Sequence, residues 1–214
     1  MNMLTNVSLQ TFSIRSDWLK VYVPDIDHVK DVHGKKKQSA PGAPFPYWAQ
    51  IWPAALGLCD FLADHLPYIQ DKKIVELGAG LALPSLFASR YAKEVVASDF
   101  NPDAVTLMQR SAIRNGIKNI NCRLLDWNHL PPSLTADTLL MSDVNYDPVA
   151  FETLYAVLKQ FLATKAVIIL STPQRLMAKP FIERLLPHCI VSETKMIDTA
   201  NGPVAISIQV LQQS

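Results

Sequence analysis

A chain of 214 residues suits one sizeable domain and is short for two ordinary ones. Its composition, 49% hydrophobic and 18% charged, supplies enough apolar surface for a core and excludes a disordered chain. The formal net charge of +1 carries no bulk signal for a nucleic-acid or membrane partner.

Leu9 to Val23 is rich in β-formers (Phe12, Ile14, Trp18, Val21, Tyr22) and predicts a strand pair, an N-terminal β-arm. Asp25 to Ala43 is polar, with Lys35-Lys36-Lys37 and two glycines, and reads as a mobile surface loop. Docking of an acidic protein is the less favoured role for these lysines. The domain proper is expected over 44–214, with 1–43 as the arm and loop. Prolines 44, 46 and 53 frame PFPYWAQIWP, after which Leu58, Phe61, Leu62 and Leu66 fall on one helical face.

Lys72 to Leu77 predicts a buried strand ending in Gly78-Ala79-Gly80, and Pro84 opens the next helix. Glu94 to Ser98 is a second such strand, ending at Asp99. Asn101-Pro102-Asp103 is a helix start with cap, first-turn proline and acid, and Asn115-Gly116 is its stop. Strands are expected at Asn119 to Leu125, Thr138 to Ser142 and Lys165 to Leu170. Helices are expected at Phe151 to Leu162 and Arg175 to Leu186. Ile190 to Ile197 and Val204 to Leu211, joined around Asn201-Gly202-Pro203, predict a closing hairpin. The repeated β-α units predict an α/β fold: a Rossmann-like, mostly parallel seven-stranded sheet with helices on both faces and a C-terminal antiparallel hairpin.

Such sheets bind ligands at the carboxyl ends of their strands. Chemistry is therefore expected at Gly78 to Ala82, Asp99, Asp126 and Asp143. Gly78 and Gly80 free the backbone for positive φ and close approach of a ligand. Asp99 follows about 20 residues on, where a carboxylate accepts bonds from ribose hydroxyls. A dinucleotide enzyme shares this pattern, but its fingerprint needs a glycine or alanine at position 83, which is Leu. Glu76 suits a cationic ligand with an amino group and a sulfonium better than a pyrophosphate. A ligand-free strand-to-helix turn is the plainer alternative.

Glu76-Leu77-Gly78-Ala79-Gly80 resembles the first motif of class I, seven-stranded S-adenosylmethionine-dependent methyltransferases. Pro46-Tyr47-Trp48-Ala49 with Trp52-Pro53, Leu125-Asp126-Trp127 and Ser142-Asp143-Val144-Asn145-Tyr146 narrow the resemblance to the methyltransferase family 16 group, rich in protein-lysine methyltransferases. The proline-framed segment is similar to that of the electron-transfer-flavoprotein β-subunit lysine methyltransferases. The resemblance implies S-adenosyl-L-methionine as cofactor, with Gly78, Ala79 and Gly80 under its methionine part and Asp99 on the ribose. It places Phe100 and Trp127 beside the adenine, Asp126 on the adenine amino group and Trp52 against the cofactor. Asp143 to Tyr146 match the family's post-strand motif near the acceptor. Many members have glycine where this chain has Ala82, a methyl that is tolerable if φ is negative.

The methyl acceptor is expected to be a protein lysine. A metabolite acceptor, or a cofactor-binding interaction module without catalysis, are the alternatives. Asp143 is assigned to orient the acceptor, with Asp147 a weaker candidate, and Tyr146 to wall the amine with its ring. Arg175 either lines the acceptor mouth or forms a surface salt bridge. The three cysteines (Cys59, Cys122, Cys189) are far apart and the five histidines scattered, so no disulfide framework or metal site is expected. The start MNMLTNVSLQ is unlike a signal peptide and no run of about 18 apolar residues occurs, so a cytoplasmic setting is expected. Nothing in the sequence sets the oligomeric state.

Overall fold

Strands β1 (Val7–Ile14) and β2 (Asp17–Pro24) form the expected antiparallel arm, at the start of a computed structural model that describes residues 3–213. The main sheet contains β3 (Lys73–Leu77), β4 (Glu94–Asp99), β5 (Ile120–Leu124), β6 (Thr138–Ser142), β7 (Val167–Pro173), β8 (Cys189–Thr199) and β9 (Gly202–Leu211), in the order β5-β4-β3-β6-β7-β9-β8. The pairs among β3 to β7 are parallel; β9 joins β7 and β8 antiparallel, as the closing hairpin predicts. The chain departs from β3 toward β4 on one side and returns through β6 on the other. The boundary between β3 and β6 is therefore the switch point, where a crevice opens at the strand tips.

Alternation along the central strands divides the core into two layers. Ile74, Leu140 and Ile169 face one layer; Val75, Leu77, Leu139, Met141, Ile168 and Leu170 face the other. Strands covered on both faces are apolar throughout, which is why Ile74-Val75 and Ile168-Ile169-Leu170 are unbroken hydrophobic runs. The first layer is closed by α2 (Pro53–Asp64), α3 (Leu83–Ala88), α4 (Pro102–Arg114) and the arm. The second is closed by α5 (Phe151–Ala163) and α6 (Lys179–Leu185). Asn101 caps α4 by accepting from the Asp103 N–H at 2.9 Å, as its sequence indicates.

One expectation fails. Residues 26–39, read as part of a mobile loop, form helix α1 (Ile26–Ser39). Asp25 caps it by accepting from the His28 N–H at 2.9 Å, and Lys36 and Lys37 lie in its last turn, favourable to the helix dipole. Only Val29 and Val32 are buried, so its apolar stripe is too thin to stand out, and Gly34 interrupts the helical signal. The arm is anchored rather than loose. Asn115, at the end of α4, accepts from the Lys20 N–H at 2.9 Å and donates to the Lys20 carbonyl at 2.7 Å. Two smaller shifts concern β7, which runs three residues beyond Leu170, and the helix expected over 175–186, which is divided among two short 3-10 turns and α6 where Pro180 and Pro187 interrupt the pattern.

Helix α2 presses on the sheet at Gly57, where an added Cβ would lie 2.9 Å from Ile206 Cγ2 on β9. Gly57→Ala is therefore expected to destabilise the fold by about 1–2 kcal/mol in urea unfolding, although alanine is the better helix former. The same change should cost less in an Ile206→Ala background, where the opposing methyl is gone.

Candidate active site

The turn after β3 is built from left-handed backbone. Gly78 and Gly80 have φ of 65° and 55°. A Cβ on Gly78 would sit 3.0 Å from the Trp127 ring, and one on Gly80 would sit 3.3 Å from the Trp48 carbonyl. Both positions thus require glycine for conformation and for space. Ala82 departs from expectation: its φ is 59°, not negative, so its methyl is held in a conformation costing roughly 1–2 kcal/mol. Its N–H bonds the Ala79 carbonyl at 2.7 Å, which closes the turn and starts α3.

Asp99, at the tip of β4, faces this turn. Its Oδ2 accepts from the Gly80 N–H at 3.0 Å and its Oδ1 from the Asn101 N–H at 2.9 Å. Burial raises its pKa, and the backbone donors of Asn101, Gly80 and Phe100 work against that rise. A carboxylate has about four lone-pair positions, so acceptor capacity remains for a ligand hydroxyl.

Glu76 does not take the place expected for it. It has no exposed surface and does not line the cleft; its Oε2 accepts from the Ser85 N–H at 2.9 Å and the Ser85 hydroxyl at 2.5 Å. Burial pushes its pKa up to about 8, so at neutral pH it is largely protonated and brings no full charge toward a cation. Its side chain braces α3 from beneath the glycine turn. Strand alternation explains the difference: Glu76 lies inside β3, one residue short of the tip.

The cleft itself encloses about 290 Å³ between the β3 turn, the tips of β4 and β6, and the proline-framed segment before α2. Gly78, Ala79, Gly80, Asp99, Phe100, Trp127, Asp143, Tyr146 and Trp52 all line it. Gly78, Phe100 and Trp127 also border a neighbouring hollow of about 210 Å³, where Asp126 is found. Asp126 caps the turn that carries Trp127, accepting from the Asn128 N–H at 2.9 Å and its side-chain amide at 2.6 Å. The first of these bonds is the main cause of its lowered pKa, which keeps it an acceptor.

At the other end stands Asp143, directly after β6, with φ of 55° and its N–H bonded to the Ser171 carbonyl at 2.8 Å. Its carboxylate is paired in fork fashion with the Arg175 guanidinium, one arm at 3.2 Å from Nη2 and the other shorter from Nη1. Arg175 follows β7, so neighbouring strands deliver the two partners, and Arg175 lines the cleft mouth while making a salt bridge. Tyr146 is half-buried and its ring centroid is 4.7 Å from that of Tyr47. Burial first, then the carboxylates of Asp99, Asp147 and Asp143 with the Tyr47 hydroxyl, keep the Tyr146 hydroxyl protonated. Trp52 donates its indole N–H to the Tyr47 carbonyl at 2.7 Å and shapes the same wall. Phe45 and Tyr47 were not singled out as site residues. The signal available was the crowding of aromatics between prolines, which positions rings without showing which way they turn.

The model of the lysine methyltransferase family matches residues 47–187. The chain belongs to that family. Its curated relatives include the histone-arginine methyltransferase METTL23 of Xenopus laevis, 33% identical over 112 residues, covering 50% of this chain and 48% of that protein. They also include the electron transfer flavoprotein beta subunit lysine methyltransferase homolog of Caenorhabditis elegans, 28% identical over 171 residues, covering 71% and 70%. The chain spans about half the length of the METTL23 relatives it matches. Among solved structures, a T. thermophilus 16S rRNA N2 G1207 methyltransferase in complex with AdoMet and guanosine superposes with a TM-score of 0.68 at 14% identity, covering 100% of this chain and 52% of that one. That likeness concerns the fold. The family match agrees with the resemblance read from the sequence, and the superposition agrees with the predicted fold.

The raised pKa of Glu76 has a thermodynamic consequence. The folded side chain holds its proton up to about pH 8 while the unfolded one releases it near 4.5, so native stability falls as pH rises through that window. Glu76→Gln removes the cost. The stability difference between variant and parent should be small near pH 4 and grow toward pH 8, by at most about 1.4 kcal/mol per unit. Urea unfolding at pH 4.5, 6 and 8 measures it; a difference that does not vary with pH would contradict the buried acid.

Proposed function

We propose that this chain transfers a methyl group from S-adenosylmethionine to the side-chain nitrogen of a protein lysine. The observation that carries the reading is the fixed Asp99 carboxylate beside a two-glycine turn, in a cleft whose lining is acidic and aromatic. The residues fit this cofactor. A Cβ at Gly78 or Gly80 would crowd the floor, Asp99 keeps acceptor capacity for a ligand hydroxyl, and the adjoining hollow offers Phe100, Trp127 and Asp126 to a flat, amino-bearing base. When bound, S-adenosylmethionine supplies an electrophilic methyl on a sulfonium and is left as the neutral thioether S-adenosylhomocysteine.

The protein's part is alignment and electrostatics. Gly78 to Gly80 and Asp99 hold the donor, while Tyr146, Tyr47 and Trp52 form a wall that excludes water and accepts an alkyl stem. Orientation of two reactants in this way supplies several kcal/mol. A lysine amine, with pKa about 10.4, is neutral in fewer than about one molecule in a thousand at pH 7, a cost of about 4.6 kcal/mol. The aromatic wall lowers that cost by desolvating the ammonium. A second reading, arginine as acceptor, is supported by the histone-arginine methyltransferase relatives, 33% identical over 112 residues.

Calorimetry is the first test. The protein should bind S-adenosylmethionine, and Asp99→Ala should weaken binding by about 30-fold, since a charge-assisted bond to a ribose hydroxyl is lost. A folded parent that does not bind the nucleoside overturns the proposal. Incubation of a cell lysate with tritiated S-adenosylmethionine should then label protein bands that disappear on protease treatment. Amino-acid analysis of the labelled band distinguishes methyl-lysine from methyl-arginine, and label confined to small molecules would replace the protein acceptor with a metabolite.

A further inference from the structure

An acidic acceptor site poses an electrostatic difficulty for lysine methylation. A carboxylate beside the acceptor favours the ammonium, which has no lone pair to attack with. The groups facing the acceptor end come from several elements: Asp143, Tyr146 and Asp147 after β6, Asp99 from the tip of β4, Tyr47 from the segment before α2, and Arg175 after β7. Burial and the surrounding carboxylates keep the Tyr146 hydroxyl protonated, and Tyr47 sets its ring 4.7 Å from that of Tyr146. Asp147 is exposed, so solvent screens it, and it already caps the turn at Pro148–Ala150. Asp99 belongs to the floor beside the glycine turn, where its oxygens accept from the Gly80 and Asn101 N–H groups. That leaves Asp143, whose side chain is 6% exposed and whose carboxylate accepts from Arg175. Arg175 is the single cationic side chain among the described residues of the cleft wall.

We infer that Arg175 is a positioning residue that cancels the charge of Asp143, so that the acceptor lysine meets a near-neutral wall and binds as the free amine. This rests on the lysine-methylation reading above. The geometry supports a permanent role, as opposed to a chance surface contact. The Arg175 backbone is held by its N–H on the Pro173 carbonyl at 2.8 Å and by its carbonyl under the Ala178 N–H at 3.0 Å. Thr172 donates to Asn145 at 2.6 Å, both side chains buried, and this bond clamps the loop after β6 to the end of β7. The two charges are thereby brought together by the scaffold. A buried carboxylate left without a cation is strongly unfavourable, so the pair persists in the resting protein. Asp143 is thus an orienting acceptor whose negative field has been removed, which reconciles its place in the site with the need for a neutral nucleophile.

The charge balance is read without any acceptor by comparing two ligands of nearly the same shape. S-Adenosylmethionine carries a positive sulfur and S-adenosylhomocysteine does not, and the sulfur must lie at the acceptor end for methyl transfer. Calorimetry with both compounds on R175A should show preference for the cationic ligand raised by about tenfold, because Asp143 is unmasked. D143N should lower that preference, because Arg175 is unmasked, and R175K should stay close to the parent. With the labelled protein fraction as acceptor, the pH of half-maximal transfer should rise by about one unit or more in R175A and fall in D143N. A preference that stays within twofold of the parent in both variants overturns the inference, as does an R175A enzyme that is slower with an unmoved pH profile. Should R175A not fold, as judged by circular dichroism, D143N decides alone by the same criterion. A parent protein that binds neither compound strikes at the methyltransferase reading instead, whereas a parent that binds both with unmoved variants strikes at Arg175 only.

Discussion

The bond from the Gly80 N–H to the Asp99 carboxylate, 3.0 Å long, joins the turn after β3 to the tip of β4, and the shape of the cleft depends on it. Two adjacent parallel strands end here with their backbone groups pointing out of the sheet. The β3 turn can approach Asp99 only because Gly78 and Gly80 take left-handed conformations and carry no side chain. Burial raises the pKa of Asp99, and those N–H donors work against the rise. Turn and carboxylate therefore stabilise one another, and the floor of the site is formed before any ligand arrives.

Above that floor the site is asymmetric. One end is a hollow beside Phe100, Trp127 and Asp126, suited to a flat base. The other is an aromatic mouth of Tyr47, Tyr146 and Trp52 closed by the Asp143–Arg175 pair. Strand order produces this arrangement: β4 and β3 supply the floor with Asp99 and the glycine turn, β6 and β7 the end with Asp143 and Arg175, and the switch point lies between β3 and β6. The proline-framed segment crosses above both, tied by the Trp52 indole to the Tyr47 carbonyl. Glu76 serves the same site from behind. A carboxyl group in the middle of an apolar strand would weaken the core, yet protonated and bonded to Ser85 it anchors the helix that the glycine turn begins.

Most of the sheet was legible in the chain because its strands are covered on both faces. Ile74-Val75 and Val167 to Leu170 must be apolar wherever they occur, and an Asn-Pro-Asp cap or an Asn-Gly stop acts locally. Helix α1 was not legible: it fully buries only Val29 and Val32, so its hydrophobic pattern is close to that of a loop. The glycine turn, Asp99 and Asp143 could be placed on the cleft from strand-tip position alone, since every parallel strand discharges at the same edge, whereas Tyr146 was placed by the family resemblance. Glu76 could not, because one residue of difference along a strand separates a ligand-facing group from a buried one.

What the sequence by itself determined, then, is everything that follows from periodicity and local turn chemistry: the βα order, the positive-φ glycines, the acids at strand ends and the family they resemble. Only the tertiary structure decided which charges meet. Asp143 and Arg175 lie on separate loops, and their pairing needs β6 and β7 to be neighbours in register. The fate of Glu76 needs α3 to set Ser85 over it. Electrostatic energy depends on distance and burial, and both are properties of packed elements; a one-dimensional pattern contains neither.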